Sequence, residues 1–239
     1  AYEDVQIPVG KGHIHGWWLP HACPDAKTAL VLHGNASNVA DALNKTQPLL
    51  VAGLSALVID YRGYGLSSGP FPNETGAYAD AAAAWGYLIE TRGIPAEAIV
   101  IFGHSIGGAI AIDLAYHQPQ AAGLIVQASF TSMTAMMDHV GYSRIVPKWL
   151  LHQRFDSLAK IGSVLPPLLL IHGIADTTVP ASMSKELYAT ASAPKQLWLV
   201  AEADHNDIAE VANAHYIARL QKWLTDSQQV YALSREMPA

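Results

Sequence analysis

Three residues have the types and the spacing for covalent chemistry. They are Ser105 in Gly103-His104-Ser105-Ile106-Gly107, Asp176 in His172-Gly173-Ile174-Ala175-Asp176, and His205 in Ala203-Asp204-His205-Asn206-Asp207. A serine hydroxyl is a weak nucleophile until a base takes its proton, and the base needs a third group to fix its tautomer. Ser105 is the candidate nucleophile, His205 the candidate base and Asp176 the carboxylate that orients it. The chain holds 11 histidines, so most are bystanders. His205 is singled out because it follows the apolar run Leu197 to Val200 and leads into the last helical stretch, on a loop beyond a strand's carboxyl end, where sites of open α/β sheets assemble. The plainer readings are a glycine turn around Ser105, an ordinary loop histidine, and a turn-forming or helix-capping Asp176. Asp138, Asp204 and Asp207 compete for the acid role. Asp138 falls in an irregular stretch, and the other two are too close to His205 in sequence to orient it easily. Asp204 has a further expected effect, raising the imidazole pKa by its nearby charge.

Acyl transfer also needs donors aimed at the carbonyl oxygen as it becomes an anion. The Ile106 N–H, at the start of the helix after the serine, is one expected donor. The other is assigned to the loop His33-Gly34-Asn35-Ala36, to the backbone of Asn35, with Ala36 as the less favoured choice and the Asn35 side chain as an addition. The same loop also reads as a plain strand-to-helix turn in which Ser37 or Asn38 caps the next helix. No metal or organic cofactor is implied.

These residues must be held by a regular frame. Short, nearly continuous apolar runs occur at Ala29–Leu32, Ala56–Ile59, Ile99–Phe102, Leu124–Val126, Leu168–Ile171 and Leu197–Val200, the pattern of strands buried on both faces of a parallel sheet. Helix-length stretches lie between and after them, at Val39–Val51, Thr75–Thr91, Ile106–His117, Ala181–Ala189 and Asp207–Trp223. The alternation predicts an α/β fold with a mostly parallel sheet and helices on both faces. Val5–Trp18 reads as an antiparallel edge pair turning at Gly10, Lys11 and Gly12. Ser105 would sit at a sharp turn between strand and helix, lifted into the open, with Gly108-Ala109 allowing that helix to pack hard on the sheet. One stretch, about 129–164, breaks the rhythm and reads as a small cap-like insertion in a single domain spanning 1–239. Its Phe130, Met133, Met136, Met137, Tyr142 and Trp149 are candidates to line an acyl pocket, although such residues are more often plain core.

Composition narrows the partners. The chain has 239 residues, 51% hydrophobic and 14% charged, with a formal net charge of −6, and it lacks the basic runs that neutralise nucleic-acid phosphates. Nucleic acid is not an expected partner. No stretch approaches the roughly 20 apolar residues that span a bilayer, so no transmembrane segment is expected. The single cysteine, Cys23, has no intrachain partner. The sequence starts at Ala1, so a soluble cytoplasmic protein and an exported or anchored one with its leader removed are both expected compartments.

Taken together, His33-Gly34-Asn35-Ala36, Asp60-Tyr61-Arg62-Gly63-Tyr64-Gly65-Leu66-Ser67, Phe102-Gly103-His104-Ser105-Ile106-Gly107-Gly108 and His172-Gly173 with Asp176 resemble the α/β-hydrolase superfamily. The nearest likeness is to its small-cap serine esterases and acyl-thioesterases with an H-G-N loop. The resemblance implies a serine hydrolase acting through an acyl-enzyme on a small-molecule ester or lipid-like acyl substrate, with thioesterase or peptidase chemistry on the same triad and non-hydrolytic ligand binding as alternatives. It further implies that the Asp60–Gly65 loop shapes the pocket; a structural role, with Arg62 pairing locally, is favoured. The family commonly has a glycine shortly before the histidine, and Ala203-Asp204 departs from that.

Overall fold

The computed structural model describes residues 2–142, 145 and 147–236. Eight strands form one sheet: β1 (Glu3–Val9), β2 (Gly12–Leu19), β3 (Thr28–Leu32), β4 (Ser55–Ile59), β5 (Ile99–His104), β6 (Gly123–Gln127), β7 (Leu168–Gly173) and β8 (Lys195–Val200). Their order is β1-β2-β4-β3-β5-β6-β7-β8. β1 and β2 form the expected antiparallel edge hairpin, and from β4 to β8 every pairing is parallel. Parallel neighbours need crossovers, and the helices supply them. These are α1 (Leu43–Val51), α2 (Glu74–Gly86), α3 (Ile106–His117), α4 (Met133–His139), α5 (Ser157–Ile161), α6 (Ala181–Thr190), α7 (Ile208–Ala212) and α8 (Ala214–Glu236).

Alternation along the strands divides the core in two. Leu30, Leu32, Leu57, Ile59, Ile99 and Ile101 point to one face, with α2, α3, α5 and α6 over it. Ala29, Val31, Ala56, Val58, Val100 and Phe102 point to the other and meet Leu49 of α1 and Tyr216, Leu220, Trp223 and Leu224 of α8. That α8 spacing is the i, i+4, i+7, i+8 stripe of a helix lying on a sheet. Between them β3 and β5 are covered on both faces, which explains their unbroken apolar sequence.

Several boundaries differ from expectation. The first crossover helix begins at Leu43 rather than Val39, because the Asn38 side chain accepts from the N–H groups of Ala40 and Asp41 at 2.8 and 3.1 Å and closes a turn there. α2, capped by Asn73 accepting from Gly76, passes into a π-helical turn over Tyr87–Thr91. The last helix is broken at Asn213, where φ is +48°, giving α7 and α8. The stretch 129–164 carries α4, α5 and a 3-10 turn at Lys148–Leu150; residues 143, 144 and 146 within it lie outside those described. Its expected acyl-pocket lining divides: Phe130 is buried, Met133 and Met136 pack on the core, while Tyr142 and Trp149 stand 60% and 75% exposed.

Candidate active site

The turn carrying Ser105 is set by its glycines. Ser105 has φ +57° and ψ −123°, a conformation that costs a non-glycine residue on the order of 1–3 kcal/mol and persists only when its surroundings fix it. A Cβ on Gly103 would lie 2.2 Å from the Gly107 carbonyl oxygen, one on Gly107 2.1 Å from the Leu32 oxygen, and one on Gly108 2.5 Å from the Ser129 Cβ. All three clashes are with fixed atoms, so the first turn of α3 can press onto β3 and β5 only without side chains. The end of β6 clamps the turn: the Ser105 N–H donates to the Gln127 oxygen at 2.9 Å, and the Ser129 hydroxyl donates to the Ser105 oxygen at 2.8 Å.

Asp176 and His205 lie beyond the carboxyl ends of β7 and β8, which are neighbours. Gly173 brings their loops together, since a Cβ there would lie 2.1 Å from the Ala203 oxygen, and the Ala175 N–H donates to that oxygen at 3.0 Å. His205 Nδ1 is 2.8 Å from Asp176 Oδ2. Asp176 Oδ1 accepts from the N–H groups of Thr178 and Val179 at 2.8 and 2.7 Å. Burial alone would raise the pKa of this carboxyl, but the hydrogen bonds from His172, His205 and Val179 outweigh it and hold the group well below the usual carboxylate range. The carboxylate is therefore charged and can fix the imidazole with hydrogen on Nδ1, leaving Nε2 free to accept a proton.

The loop before His205 has no glycine, and Glu202 takes the left-handed conformation instead, at φ +61°. Asp204 and Asp207 build this loop. Asp204 accepts from the backbone of Thr177 and of His205, at 2.8 and 2.7 Å, and Asp207 accepts from the Asp204 N–H at 2.7 Å. Asp138 lies on α4.

Ser105 and His205 line one cleft of about 270 Å³ together with His33, Gly34, Asn35 and Ser37, and with Lys45 of α1. Gly34 packs against the serine turn, its missing Cβ position 3.2 Å from the His104 ring and 3.3 Å from the Ser105 Cβ. This places the Asn35 segment beside Ser105, while Ile106, as the first residue of α3, has an N–H without an intrahelical acceptor. The Asn35 side-chain oxygen accepts from the Tyr64 hydroxyl at 2.6 Å.

Around the site, His172 and His104 were given no role in sequence, and the Asp60–Gly65 loop was given a structural one. His172 Nε2 stands 3.1 Å from Asp176 Oδ2 and 2.9 Å from the Val179 oxygen, both acceptors, so that nitrogen carries the hydrogen; Nδ1 faces the Ser184 hydroxyl at 2.6 Å. Asp60, at the end of β4, lies between His33 (3.6 Å) and His15 (3.3 Å) and accepts from the Val39 N–H at 2.8 Å. Gly65 at φ +49° makes room for it. Arg62 grips the buried Asp80 carboxylate through Nη2 at 2.6 Å and Nε at 3.0 Å, so the Asp60–Gly65 loop does hold local structure. His104 Nε2 meets the Asn206 side-chain oxygen at 3.2 Å, and burial, aided by the charges of Lys45 and His205, drives the His104 pKa well below its ordinary value. For His172 and His104 the sequence signal was position: His172 lies near the end of a strand, and His104 precedes the serine. Among the described residues no group of His, Cys, Asp and Glu is placed to hold a metal ion, and no helix is long and apolar enough to cross a membrane.

A mostly parallel sheet with a strained serine at the β5–α3 turn and an Asp–His pair beyond β7 and β8 defines the α/β-hydrolase class. The chain belongs to the family described as Serine aminopeptidase, S33 (Hydrolase_4), whose sequence model matches residues 24–166, and it is a hydrolase by that membership. It is 35% identical over 229 residues to the uncharacterized protein Rv2307c of Mycobacterium tuberculosis, covering 95% of this chain and 80% of that one. It is 32% identical over 240 residues to the alpha/beta hydrolase domain-containing protein 17B of Xenopus laevis, with 94% and 75% covered. Among solved structures, the esterase Pf2001 of Pyrococcus furiosus superposes with a TM-score of 0.78 at 23% identity, over 95% of this chain and 92% of that one, a likeness of fold.

Proposed function

We propose that the protein hydrolyses carboxylic esters through an acyl-enzyme on Ser105. The observation that carries this reading is the 2.8 Å contact from Asp176 to His205 on the wall of the cleft that Ser105 also lines. Ser105 Oγ bonds to the acyl carbon as its proton passes to His205 Nε2. The ester C–O bond then breaks as that proton goes to the departing alcohol oxygen. Water, giving its proton to His205, attacks the acyl-serine, and the proton returns to Ser105 as the acid leaves. The backbone N–H groups of Asn35 and Ile106 receive the oxyanion, each donor of this kind being worth about 2.7–4 kcal/mol.

The test is hydrolysis of p-nitrophenyl esters of increasing acyl length by wild type and Ser105→Ala, with labelling by a fluorophosphonate probe. Turnover and labelling that both vanish in Ser105→Ala support the reading. Preference for matched thioester or peptide substrates would assign the same serine to thioesterase or peptidase chemistry, and folded protein that neither reacts nor turns over would be a binding protein.

A further inference from the structure

Lys45 has no part in the chemistry above, yet it lines the cleft with Ser105 and His205. We propose that Lys45 makes this cleft a site for esters whose acyl part carries a carboxylate, short polar monoesters of dicarboxylic acids in place of long alkyl chains. The inference rests on the hydrolase reading and names the substrate class for it.

The cleft holds about 270 Å³, just under the 300–1,000 Å³ usual for ligand sites. About half of its wall is polar, with Asn35, Ser37, Asp41, Thr178 and Asn206 among its lining, and Ala42 is its one aliphatic side chain. An alkyl chain laid against the polar half strips water from groups it cannot satisfy. A carboxylate meets donors there.

Lys45 itself is half-buried. Among the described residues its ammonium has no ion-pair partner, only the Asn206 side-chain oxygen at 3.5 Å, beside His205. Burial lowers its pKa, with the field of Glu210 acting in the opposite sense. A partly dehydrated cation with no ion pair gains more from an arriving anion than one in open water, even with the more distant Glu210 carboxylate in its field. The other charges do not cancel it. Asp41 is exposed on the same wall and screened by water. The Asp176 charge is taken up by His172 and His205, and His104 is held neutral by its burial.

The experiment compares kcat/KM for p-nitrophenyl butyrate and the mono-p-nitrophenyl ester of glutaric acid in wild type, Lys45→Gln and Lys45→Arg, each checked for an unchanged melting transition. The glutarate-to-butyrate ratio is expected to fall about tenfold in Lys45→Gln, equivalent to about 1.4 kcal/mol. It is largely kept in Lys45→Arg, and added salt lowers it in wild type but not in Lys45→Gln. A ratio unchanged within twofold in Lys45→Gln, with butyrate still cleaved in a Ser105-dependent way, overturns the Lys45 assignment and leaves the hydrolase reading standing. Labelling by fluorophosphonate without turnover of either ester does the same. Loss of both labelling and turnover in folded wild type overturns the hydrolase reading, and this one with it.

Discussion

Replacing Asp176 by Asn exchanges one oxygen for an NH2 group, and the surrounding bonds dictate where that group goes. Oδ1 accepts two backbone donors, from Thr178 at 2.8 Å and Val179 at 2.7 Å, so the amide oxygen must stay there. The NH2 then occupies the Oδ2 position, 2.8 Å from His205 Nδ1 and 3.1 Å from His172 Nε2. His172 Nε2 is itself a donor, because the Val179 oxygen faces it at 2.9 Å, so it gains nothing from a second donor. His205 Nδ1 can accept from the amide only by giving up its own hydrogen, which moves to Nε2. An imidazole in that tautomer cannot take the serine proton. Activity on a p-nitrophenyl ester is expected to fall on the order of 10³- to 10⁴-fold, or about 4–5.5 kcal/mol of transition-state stabilisation. Steady-state kinetics measure the loss, and long-range 1H–15N NMR of the imidazole reads the tautomer. A loss below tenfold, or an Nε2–H tautomer with activity retained, would refute the assignment of Asp176 as the group that orients the base.

The same carboxylate links stability to pH. Its folded pKa is depressed, so its contribution is fully present above the unfolded value of about 3.9 and disappears as pH falls toward the folded one; urea unfolding of wild type and Asp176→Asn should differ most above pH 4 and converge below it. Gly107→Ala drives a methyl to 2.1 Å from the Leu32 oxygen and is expected to cost about 3 kcal/mol or more. Gly10→Ala, with open space around it at φ +55°, should cost only about 1–2 kcal/mol, and equal midpoints in urea would contradict this packing argument. Arg62→Ala leaves the Asp80 carboxylate, wholly buried, without its guanidinium, and a loss on the order of 3 kcal/mol is expected in the same assay.

How far the sequence could be read follows from the range of the forces involved. Strand runs such as Ala56–Ile59 and the helix Ile106–His117 were legible because burial on both faces writes an unbroken apolar pattern into neighbouring residues. The break at Asn213 was not, since it rests on one residue's φ of +48° inside an otherwise helical stretch. Nor was the turn at Asn38, where a side chain takes backbone donors that a helix would use.

For the candidate site, the sequence by itself marked the glycine-flanked turn at Ser105 and the chain order of Ser105, Asp176 and His205, because glycine spacing and strand ends are local properties. Only the tertiary structure decided the second donor on Asp176, the Asp60 contacts with His33 and His15, and the meeting of Lys45 with Asn206. The Asp60 and Lys45 partners come from segments far apart in the chain, and His172, though only four residues from Asp176, reaches it through the turn that follows β7. The parallel sheet sets the carboxyl ends of its strands side by side, and which side chains then come within hydrogen-bond reach depends on loop conformations that no local pattern encodes.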